Sequence, residues 1–447
     1  MSTMNGATSP DNHGKGFAQV APPNSTGIKI IVVGAGFAGL ACAIESKRKG
    51  HEVVILEKFK ELKALGDIIS FGNNAGRVFE RWGLHDKFWA VCSHVETLMI
   101  HNSQGELLLE QPNPDPLFGA YAYNGHRGEL HTMLFDYAQS LGIDIRLGQD
   151  VTEYWETDNE AGVIANSEKI AADVVVGADG VRSRARTLVL GYEDKPKSSG
   201  YAVYRSWFDC AEQGVDKDPM TSFICQGKDL FYGWIGKDVH FLAHSSSGGK
   251  KLSNVITHKD DADIAESWSF PGKMEDCLKI VEGWDPRCAA LLSKAPSLVD
   301  WKLVYRDPMP TWISKGARLA LIGDAAHPFL PTSQQGASQA VEDGVTLAVV
   351  LQLAGKENVH LAVREWEKIR YQRVRRAQLI GESVRDMWHK AKPEDRGNAV
   401  ALPRPEWLLG HDAEKHAYEV YDATTKEIQE KGYELPTLPP VVPVAGA

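Results

Sequence analysis

The sequence has little cysteine and no apolar run long enough to cross a membrane. Its 447 residues include six cysteines, which are scattered without a C-x-x-C pair. This pattern excludes a zinc framework and predicts free thiols in a reducing compartment. The longest apolar stretch, residues 344–355, is too short for a bilayer, which needs about 20 residues. Residues 1–27 have no apolar signal-peptide core. We therefore expect a disordered leader and a cytoplasmic protein without a membrane partner.

Excess positive charge is also missing. The chain carries 49 Lys and Arg against 59 Asp and Glu, a net charge of -10. Such a surface argues against binding to a nucleic-acid backbone. Hydrophobic residues make up 43% and charged residues 24% of the chain, which are globular values. The length predicts two or more domains.

A glycine-rich turn near the start matches a dinucleotide fingerprint. The apolar strand KIIVV at 29–33 leads into G-x-G-x-x-G at Gly34, Gly36 and Gly39, and then into a helix. Gly34 permits the tight turn, Gly36 admits a pyrophosphate against the backbone, and Gly39 lets helix and strand pack closely. The helix N-terminus offers free N–H groups to the phosphates.

An acidic residue ends the second strand of this unit. The strand EVVIL leads to Glu57, whose carboxylate can accept hydrogen bonds from an adenosine ribose diol. The same negative charge disfavours a 2′-phosphate, so the site fits FAD or NAD rather than NADP, and position alone does not choose between them. We include Ala38 and Lys58 among the predicted cofactor-binding residues.

Two further buried strands end in aspartate. The first, at about 172–177, is closed by Gly177-Ala178-Asp179-Gly180, and the second, RLALIG, precedes Asp324. A Gly-rich turn and a helix from about Gly336 follow Asp324. Two strand-ending aspartates are thus expected to flank the pyrophosphate site.

These three motifs together resemble the single-component FAD-dependent aromatic hydroxylases, with the para-hydroxybenzoate hydroxylase fold and its salicylate-hydroxylase-like branch. The resemblance covers roughly residues 28–390. It implies an α/β fold in which a Rossmann-like FAD-binding domain, 28–196 and 300–355, carries an inserted antiparallel-sheet substrate domain, 197–299. C-terminal helices and a tail would fill 356–447.

The resemblance also implies roles for individual residues. Asp324 would hydrogen-bond the ribityl chain, and Asp179 with Gly180 would lie near the cofactor and support NAD(P)H delivery. Arg127 would contact the FAD phosphates or the ribityl chain, unless it is a solvated residue at the start of a helix. The turn beside the flavin ring would contain Pro331, and the backbone N–H groups facing the flavin N1–C2=O edge would come from Gln335, Gly336 and Ala337. A helix dipole there stabilises negative charge on reduced flavin.

The middle of the chain predicts an antiparallel sheet. Short alternating strands are predicted at 200–210, 221–227, 229–236 and 239–246. Helices are predicted at 260–268, 274–283 and 287–294. Long helices follow Gly344, and their basic cluster at 370–378 is either a solvated face or an ion-pair partner for neighbouring acids.

Pocket residues are sought on this sheet. Arg205 shares a strand face with Tyr201, Val203 and Trp207, and it is a candidate catalytic residue that could hold a phenolate or carboxylate. Alternatively, it pairs with Asp209 or another acid. Two further candidate catalytic residues, Tyr232 and Trp234, form pocket walls unless they belong to the core. Three histidines are interpreted as structural, and they are His240, His244 and His327.

The implied activity is an FAD-dependent monooxygenase that uses NADPH or NADH and O2. It would hydroxylate a small aromatic molecule, phenolic or polyketide-like, through a flavin C4a-hydroperoxide. Epoxidation, oxidative dearomatisation and decarboxylative hydroxylation of a secondary metabolite remain open, and a non-catalytic flavin-binding module is the rival of another class. No metal site is predicted, and the protein is expected to be a monomer or homodimer.

Overall fold

The structure is a computed structural model that describes residues 24–62, 66–260, 270–392 and 394–439. Most of the predicted leader, the predicted helix at 260–268 beyond its first residue, and the end of the tail lie outside these ranges. All six cysteines are free thiols, as expected. Within the described residues, no helix is long and apolar enough to cross a membrane.

The strands of the described residues lie between residues 29 and 321. The strands are β1 (Lys29–Val33), β2 (Glu52–Glu57), β3 (Ile68–Phe71), β4 (Thr97–Asn102), β5 (Leu107–Pro112), β6 (Tyr123–His126), β7 (Asp144–Leu147), β8 (Val151–Glu156), β9 (Ala161–Ala165), β10 (Glu168–Ala172), β11 (Val174–Gly177), β12 (Lys197–Asp209), β13 (Phe231–Gly236), β14 (Val239–Ser246), β15 (Lys251–Lys259), β16 (Phe270–Gly272), β17 (Leu298–Tyr305) and β18 (Leu319–Leu321).

The helices are longest near the C-terminus. They are α1 (Phe37–Arg48), α2 (Asn73–Arg81), α3 (His85–Val91), α4 (Arg127–Ser140), α5 (Ala185–Leu190), α6 (Met274–Ile280), α7 (Pro286–Ser293), α8 (Gly336–Ala354), α9 (Val359–His389), α10 (Glu406–Leu409) and α11 (Ala413–Lys431).

A five-stranded parallel sheet carries the nucleotide-binding motifs. Its strand order is β18-β11-β1-β2-β7, and every pair is parallel. Strands β1, β11 and β18 are almost entirely buried apolar residues, as strands of a parallel sheet covered on both faces require. Helix α1 packs on α8, where Gly344 approaches the Cys42 backbone so closely that a Cβ would lie 2.5 Å from its Cα.

An eight-stranded sheet forms the second layer, in the order β16-β17-β12-β15-β14-β13-β4-β5. Its pairs are antiparallel except β13 with β4, so the α/β fold class with an antiparallel sheet is confirmed. Strands β4 and β5 come from 97–112, outside the predicted 197–299 range, and the domain boundaries stay a prediction. The predicted strand at 221–227 is wrong, because Ser222–Ile224 forms a 3₁₀ turn. The strand β15 was not predicted.

Two buried carboxylates of α9 contact the C-terminal helix α11 and the residues that follow it. Glu365 accepts a hydrogen bond from Thr425 Oγ1, and Glu367 accepts from Thr311 Oγ1 at 2.8 Å and from Tyr433. Glu365 and Glu367 are each 0% exposed. Burial raises the pKa of each from 4.5 to about 7, against the effect of their hydrogen bonds. Protonation of these acids therefore favours the folded state.

We expect Glu365→Gln to raise the melting temperature at about pH 8 and to change it little at about pH 5. The raised pKa of Glu365 means that its stabilising protonated state is present below 4.5 and is lost as pH rises towards 7. Glutamine cannot ionise, so the variant does not lose this stability as pH rises. Thermal unfolding at both pH values tests this, with Glu427→Gln as the control because Glu427 is ion-paired to Lys368 on the same interface. An equal effect of Glu365→Gln at both pH values would contradict it.

Candidate functional site

The motif-bearing strands lie side by side. The order β18-β11-β1-β2 brings Asp324, Asp179, the glycine turn and Glu57 to one edge, because the carboxyl ends of parallel strands point the same way. Both aspartates lie on the β18 side of the glycine turn and Glu57 lies on its other side, so the expected residues share one edge but the two aspartates do not flank the turn. This edge is where ligands bind in open α/β sheets.

The three glycines of the turn have different surroundings. Gly34 has φ +106°, and a Cβ there would lie 2.4 Å from the Ala178 carbonyl oxygen. A Cβ on Gly39 would lie 1.9 Å from the Gly34 carbonyl oxygen, whereas a Cβ on Gly36 would meet nothing within 4 Å. Two glycines therefore serve the fold, and Gly36 leaves an open cradle at the N-terminus of α1. This cradle fits a pyrophosphate.

Glu57 lies under the turn. It is buried, and its Oε2 accepts a hydrogen bond from Ala35 N at 2.8 Å while Oε1 accepts from Phe59 N at 3.0 Å. Lys58 is exposed and holds its Nζ 5.0 Å from the Phe59 ring centre. Ala38 packs on the β18 turn, where a Cβ on Gly323 would lie 2.8 Å from the Ala38 Cβ. Glu57 thus orders the glycine turn. The contact of Ala38 fixes the distance between the glycine turn and the turn after β18.

The middle motif has a carboxylate oxygen without a partner. Asp179 Oδ2 accepts hydrogen bonds from Tyr154 Oη at 2.8 Å and from Arg184 N at 3.0 Å. Asp179 Oδ1 is buried and has no hydrogen-bond partner among the described residues. Gly180 has φ +75°, which favours glycine. An unsatisfied buried acceptor is costly, so this atom is suited to a ligand donor.

Asp324 lies beside a cation. Burial raises the pKa of Asp324, and the charges of Arg127 and His327 act against this rise. Arg127 begins α4, and its backbone N donates to Asp67 O at 2.7 Å. No hydrogen bond to the Asp324 carboxylate is formed within the part of the chain that the structure describes. The carboxylate is therefore free to accept hydrogen bonds from hydroxyl groups.

A strained turn precedes α8. Pro331 begins a 3₁₀ turn that ends at Gln334, which has φ +51°, a left-handed conformation that costs a non-glycine residue about 1 kcal/mol or more. A glycine would adopt this conformation without that cost. Gln335 caps α8, and its Oε1 accepts from Asn74 Nδ2 at 3.1 Å. Gly336 and Ala337 form the first turn of α8, so their N–H groups belong to the helix N-terminus.

A buried ion cluster, which we call the α8–α9 cluster, supports this edge and consists of Glu342, Asp343, Arg370, Arg373 and His327. Asp343 Oδ2 accepts from Gly323 N at 3.0 Å and contacts His327 Nε2 at 2.6 Å. Arg370 Nε donates to Asp343 Oδ1 at 2.9 Å, and Arg370 also pairs with Glu342. The cluster thereby ties the turn after β18 to α8 and α9. His327, interpreted from the sequence as structural, thus contacts the carboxylate that holds this turn.

Glu342 of the cluster also pairs with a second arginine. Arg373 Nε lies 2.7 Å from Glu342 Oε2. Although burial opposes the effect, Arg373 and Arg370 lower the pKa of Glu342, and His327 and Arg370 lower the pKa of Asp343. The ion-pair alternative for the basic cluster at 370–378 is therefore correct for Arg370 and Arg373. In the sequence, the only indication of this pairing was the spacing of Arg370 and Arg373, which places both on one face of a helix.

Arg205 on β12 is paired with an acid that directly precedes β3. Its guanidinium forms an ion pair with Asp67, and its Nη2 donates to Ile68 O at 3.3 Å. It also lies 5.4 Å from the Trp301 ring centre. Burial lowers the pKa of Arg205, against the effect of Asp67. The partner is thus another acid and not Asp209, which pairs with Lys251. Sequence reasoning missed Asp67, which no motif marks.

The pocket-wall prediction for Tyr232 and Trp234 is wrong. Strand register pairs Arg205 with Val255, Val255 with Leu242, and Leu242 with Gly233, so both aromatic residues point to the opposite face. There Trp234 is fully buried, donates from Nε1 to Asp285 Oδ2 at 2.9 Å, and packs in the core under α6 and α7. Tyr232 packs in the same core.

Two histidines on this sheet are structural. His240 Nδ1 lies 2.8 Å from His389 Nε2, and His244 Nε2 lies 2.6 Å from Ser93 Oγ. Burial lowers the pKa of His240 to about 3 and that of His244 to about 4. Both therefore stay neutral and serve packing.

Known proteins are similar to this chain over most of its length. A family model described as "FAD binding domain" matches residues 27–375. Asperlicin C monooxygenase of Petromyces alliaceus is 39% identical over 92% of this chain and 91% of its own length.

Solved structures share the fold. The crystal structure of CtdE in complex with FAD and a substrate superposes with a TM-score of 0.84 at 35% identity, covering 90% of this chain and 100% of CtdE. A salicylate hydroxylase substrate complex has a TM-score of 0.75 at 22% identity, covering 88% of this chain and 98% of its own, and this likeness concerns the fold alone.

We expect Gly36→Val to abolish FAD retention and to leave the fold intact. A Cβ on Gly36 meets no protein atom within 4 Å, and the valine side chain would occupy the cradle, so the free energy of unfolding should change by less than about 1 kcal/mol. Bound flavin after gel filtration and denaturant unfolding of the apoprotein measure the two effects. Gly142→Ala is the control, because it also meets open space, at φ +70°, and lies outside the cofactor motifs, so it should keep its flavin. Normal flavin content in Gly36→Val would contradict the assignment.

We expect Arg370→Met to destabilise the protein by about 3–5 kcal/mol, because it leaves two buried carboxylates without their shared cation. Arg376→Met is the matched control on the same helix, since Arg376 lies over the Trp407 ring and outside the cluster. Urea unfolding of the two variants provides the comparison. Similar midpoints would show that the cluster contributes little.

Proposed function

The chain belongs to the FAD-dependent monooxygenases, and on that premise we propose that it uses NADPH or NADH and O2 to oxygenate a neutral aromatic secondary metabolite at the sheet face that carries Arg205. This face means the side of β12 with Tyr201, Val203, Arg205 and Trp207. The observation that carries the proposal is the position of Arg127. Its backbone N donates to the Asp67 carbonyl oxygen at 2.7 Å, and Asp67 pairs with Arg205. The charge of Arg127 also acts on Asp324, so the nucleotide edge and the sheet face adjoin each other.

Residues of all three motifs would hold the cofactor. We assign the pyrophosphate to the Gly36 cradle and the adenosine ribose to Glu57, whose carboxylate lies directly below the turn. Asp324 has no hydrogen bond among the described residues and would accept from the ribityl hydroxyls. Further residues assigned to the FAD site are Gly34, Ala38, Gly39, Lys58, Arg127, Asp179, Gly180, Pro331, Gln335, Gly336 and Ala337.

Bound FAD would supply the redox chemistry, taking a hydride from the nicotinamide and activating O2. The chain's own residues then position the substrate and exclude water. Val203 is fully buried, and Trp301 lies beside it on β17. The N–H groups at the start of α8 would stabilise negative charge that develops opposite them.

The Arg205–Asp67 ion pair supports a neutral substrate. An arginine that must hold a carboxylate needs an uncompensated charge, whereas the charge of Arg205 is already balanced by Asp67. Its guanidinium can still donate a hydrogen bond to a neutral oxygen or nitrogen. This argues against the predicted phenolate or carboxylate clamp. The name of the asperlicin C relative supports a secondary metabolite as substrate.

Related oxygen transfers would use the same residues. Hydroxylation, epoxidation and oxidative dearomatisation all need a positioned ring and a nearby donor, and the assigned residues serve each. Asp179, with its unpartnered Oδ1, would assist nicotinamide delivery.

We expect the purified protein to carry flavin absorbance and to oxidise NADPH or NADH faster when an aromatic substrate is added. Visible spectra and oxidation rates with neutral phenols and with salicylate test this. A yellow protein that oxidises neither nicotinamide would contradict the proposal. Stimulation by salicylate alone would contradict the neutral-substrate part.

We expect Arg205→Ala to raise KM for the substrate at least about tenfold, or to uncouple nicotinamide oxidation from oxygenation, because a buried donor is lost. Asp67→Asn should have a distinct effect, since it leaves Arg205 unpaired and should improve binding of anionic aromatic acids. Product yield per nicotinamide consumed provides the measurement. Unchanged KM and coupling in Arg205→Ala would remove this residue from the pocket.

A further inference from the structure

The first turn of α8 is left open by the side chain that could cap it. Gln335 stands at the N-cap position of α8, and its side chain makes no hydrogen bond to that turn. The backbone N–H groups of Gly336, Ala337 and Ser338 have no acceptor among the described residues. A capping side chain normally accepts from one of these groups. All three donors therefore remain available at the edge that we assign to the flavin.

The Gln335 side chain is instead held inside the protein by two donors. Its Oε1 accepts from Asn74 Nδ2 at 3.1 Å and from Gln339 Nε2 at 3.2 Å. Asn74 and Gln339 are 0% exposed, and Gln335 is 3% exposed. Because only the amide oxygen can accept from two NH2 groups, the network determines the orientation of the Gln335 amide. The oxygen that could have capped α8 is therefore occupied.

A buried carboxylate orients both donors. Asn74 Nδ2 also donates to Glu342 Oε1 at 2.6 Å, and Gln339 Nε2 lies 3.4 Å from the same oxygen. Glu342 pairs with Arg370 and Arg373, and an ionised carboxylate can only accept hydrogen bonds. Glu342 therefore holds both NH2 groups in the place from which they also reach the start of α8.

Asn74 connects this network to a second helix. It lies in the first turn of α2, whereas Gln339 belongs to α8 itself. A further bond joins the same two segments, since Gly72 N donates to Ser338 Oγ at 2.9 Å. A Cβ on Gly72 would lie 2.7 Å from Gln335 Nε2, so the glycine permits this close approach. The hydrogen bonds of Asn74 thus fix the start of α8 relative to α2.

We propose that Asn74 is a positioning residue for the flavin, because it holds the Gln335 side chain away from the first turn of α8. The N–H groups of that turn are thereby kept free and in a fixed position for the negative charge of reduced flavin. This inference rests on the FAD site of the proposed function and adds a residue of α2 that no motif marks. Donors that are fixed before charge develops stabilise it without a cost of reorganisation. Asn74 acts through Gln335 and not by its own contact with the cofactor.

The reduction potential of the FAD-loaded protein tests the inference without a substrate. In Asn74→Ala the first turn of α8 loses its fixed position, so reduced flavin should bind about tenfold less tightly relative to oxidised flavin. For a two-electron couple this ratio lowers the potential by about 30 mV. Anaerobic reduction beside a reference dye of known potential provides the measurement.

The neighbouring asparagine is the matched control. Asn73 is also buried in the first turn of α2, but its Nδ2 donates to Ala120 O at 2.9 Å and not to α8. Asn73→Ala also removes a buried amide from this turn, so it should destabilise the protein as Asn74→Ala does and keep the wild-type potential. Equal shifts of the potential in Asn73→Ala and Asn74→Ala would overturn the inference, since they would show a general effect of α2.

A second variant reaches the same turn without a change at Asn74. Gln335→Ser places a short hydroxyl group at the N-cap, where serine readily accepts from the first turn of a helix. The N–H groups then have a competing acceptor, so the potential should fall by a similar amount although the helix is better capped. A wild-type potential in either Asn74→Ala or Gln335→Ser would overturn the inference. A wild-type protein that binds no FAD would instead refute the proposed function.

Discussion

The buried pairing of Arg370 with Asp343 and Glu342 is the interaction on which the rest of the site depends. Asp343 also receives the Gly323 N–H and contacts His327, so one carboxylate joins α8, α9 and the turn after β18. Without that connection the turn that carries Asp324 would have no fixed position relative to the helix N-terminus at Gly336. A buried ion pair is expensive to desolvate, and its use here fits a requirement for geometry more than for stability.

The nucleotide edge could be predicted from the sequence because its signals are local. A strand, a glycine turn and a helix follow one another at β1, and the aspartates stand directly after β11 and β18. Parallel strands order their carboxyl ends on one edge, so adjacency in space follows once the strands are recognised. The different surroundings of Gly34, Gly36 and Gly39 agree with the roles derived from their spacing.

The substrate side could not be predicted in the same way, because it depends on strand register and on distant pairs. Which face of β13 is buried is set by its pairing with β14 and with β4, and the latter pair brings in residues 97–102. Tyr232 and Trp234 consequently lie in the core under α6 and α7. The partner of Arg205 is Asp67, far away in sequence and outside any motif. Arg370 and Arg373 likewise resemble surface residues until α8 is placed beside them.

Charge balance therefore separates the two halves of the site. Among the residues that the structure describes, the nucleotide edge keeps acceptors without hydrogen-bond partners, at Asp324 and at Asp179 Oδ1, whereas the Arg205 face is neutralised by Asp67. The first suits a polyol and a dinucleotide, and the second suits an uncharged ring. The most direct test of this account is a reaction under ¹⁸O₂ with reduced nicotinamide and a substrate that stimulates its oxidation. The account predicts a product that carries one labelled oxygen atom; hydrogen peroxide with an unlabelled product would contradict it.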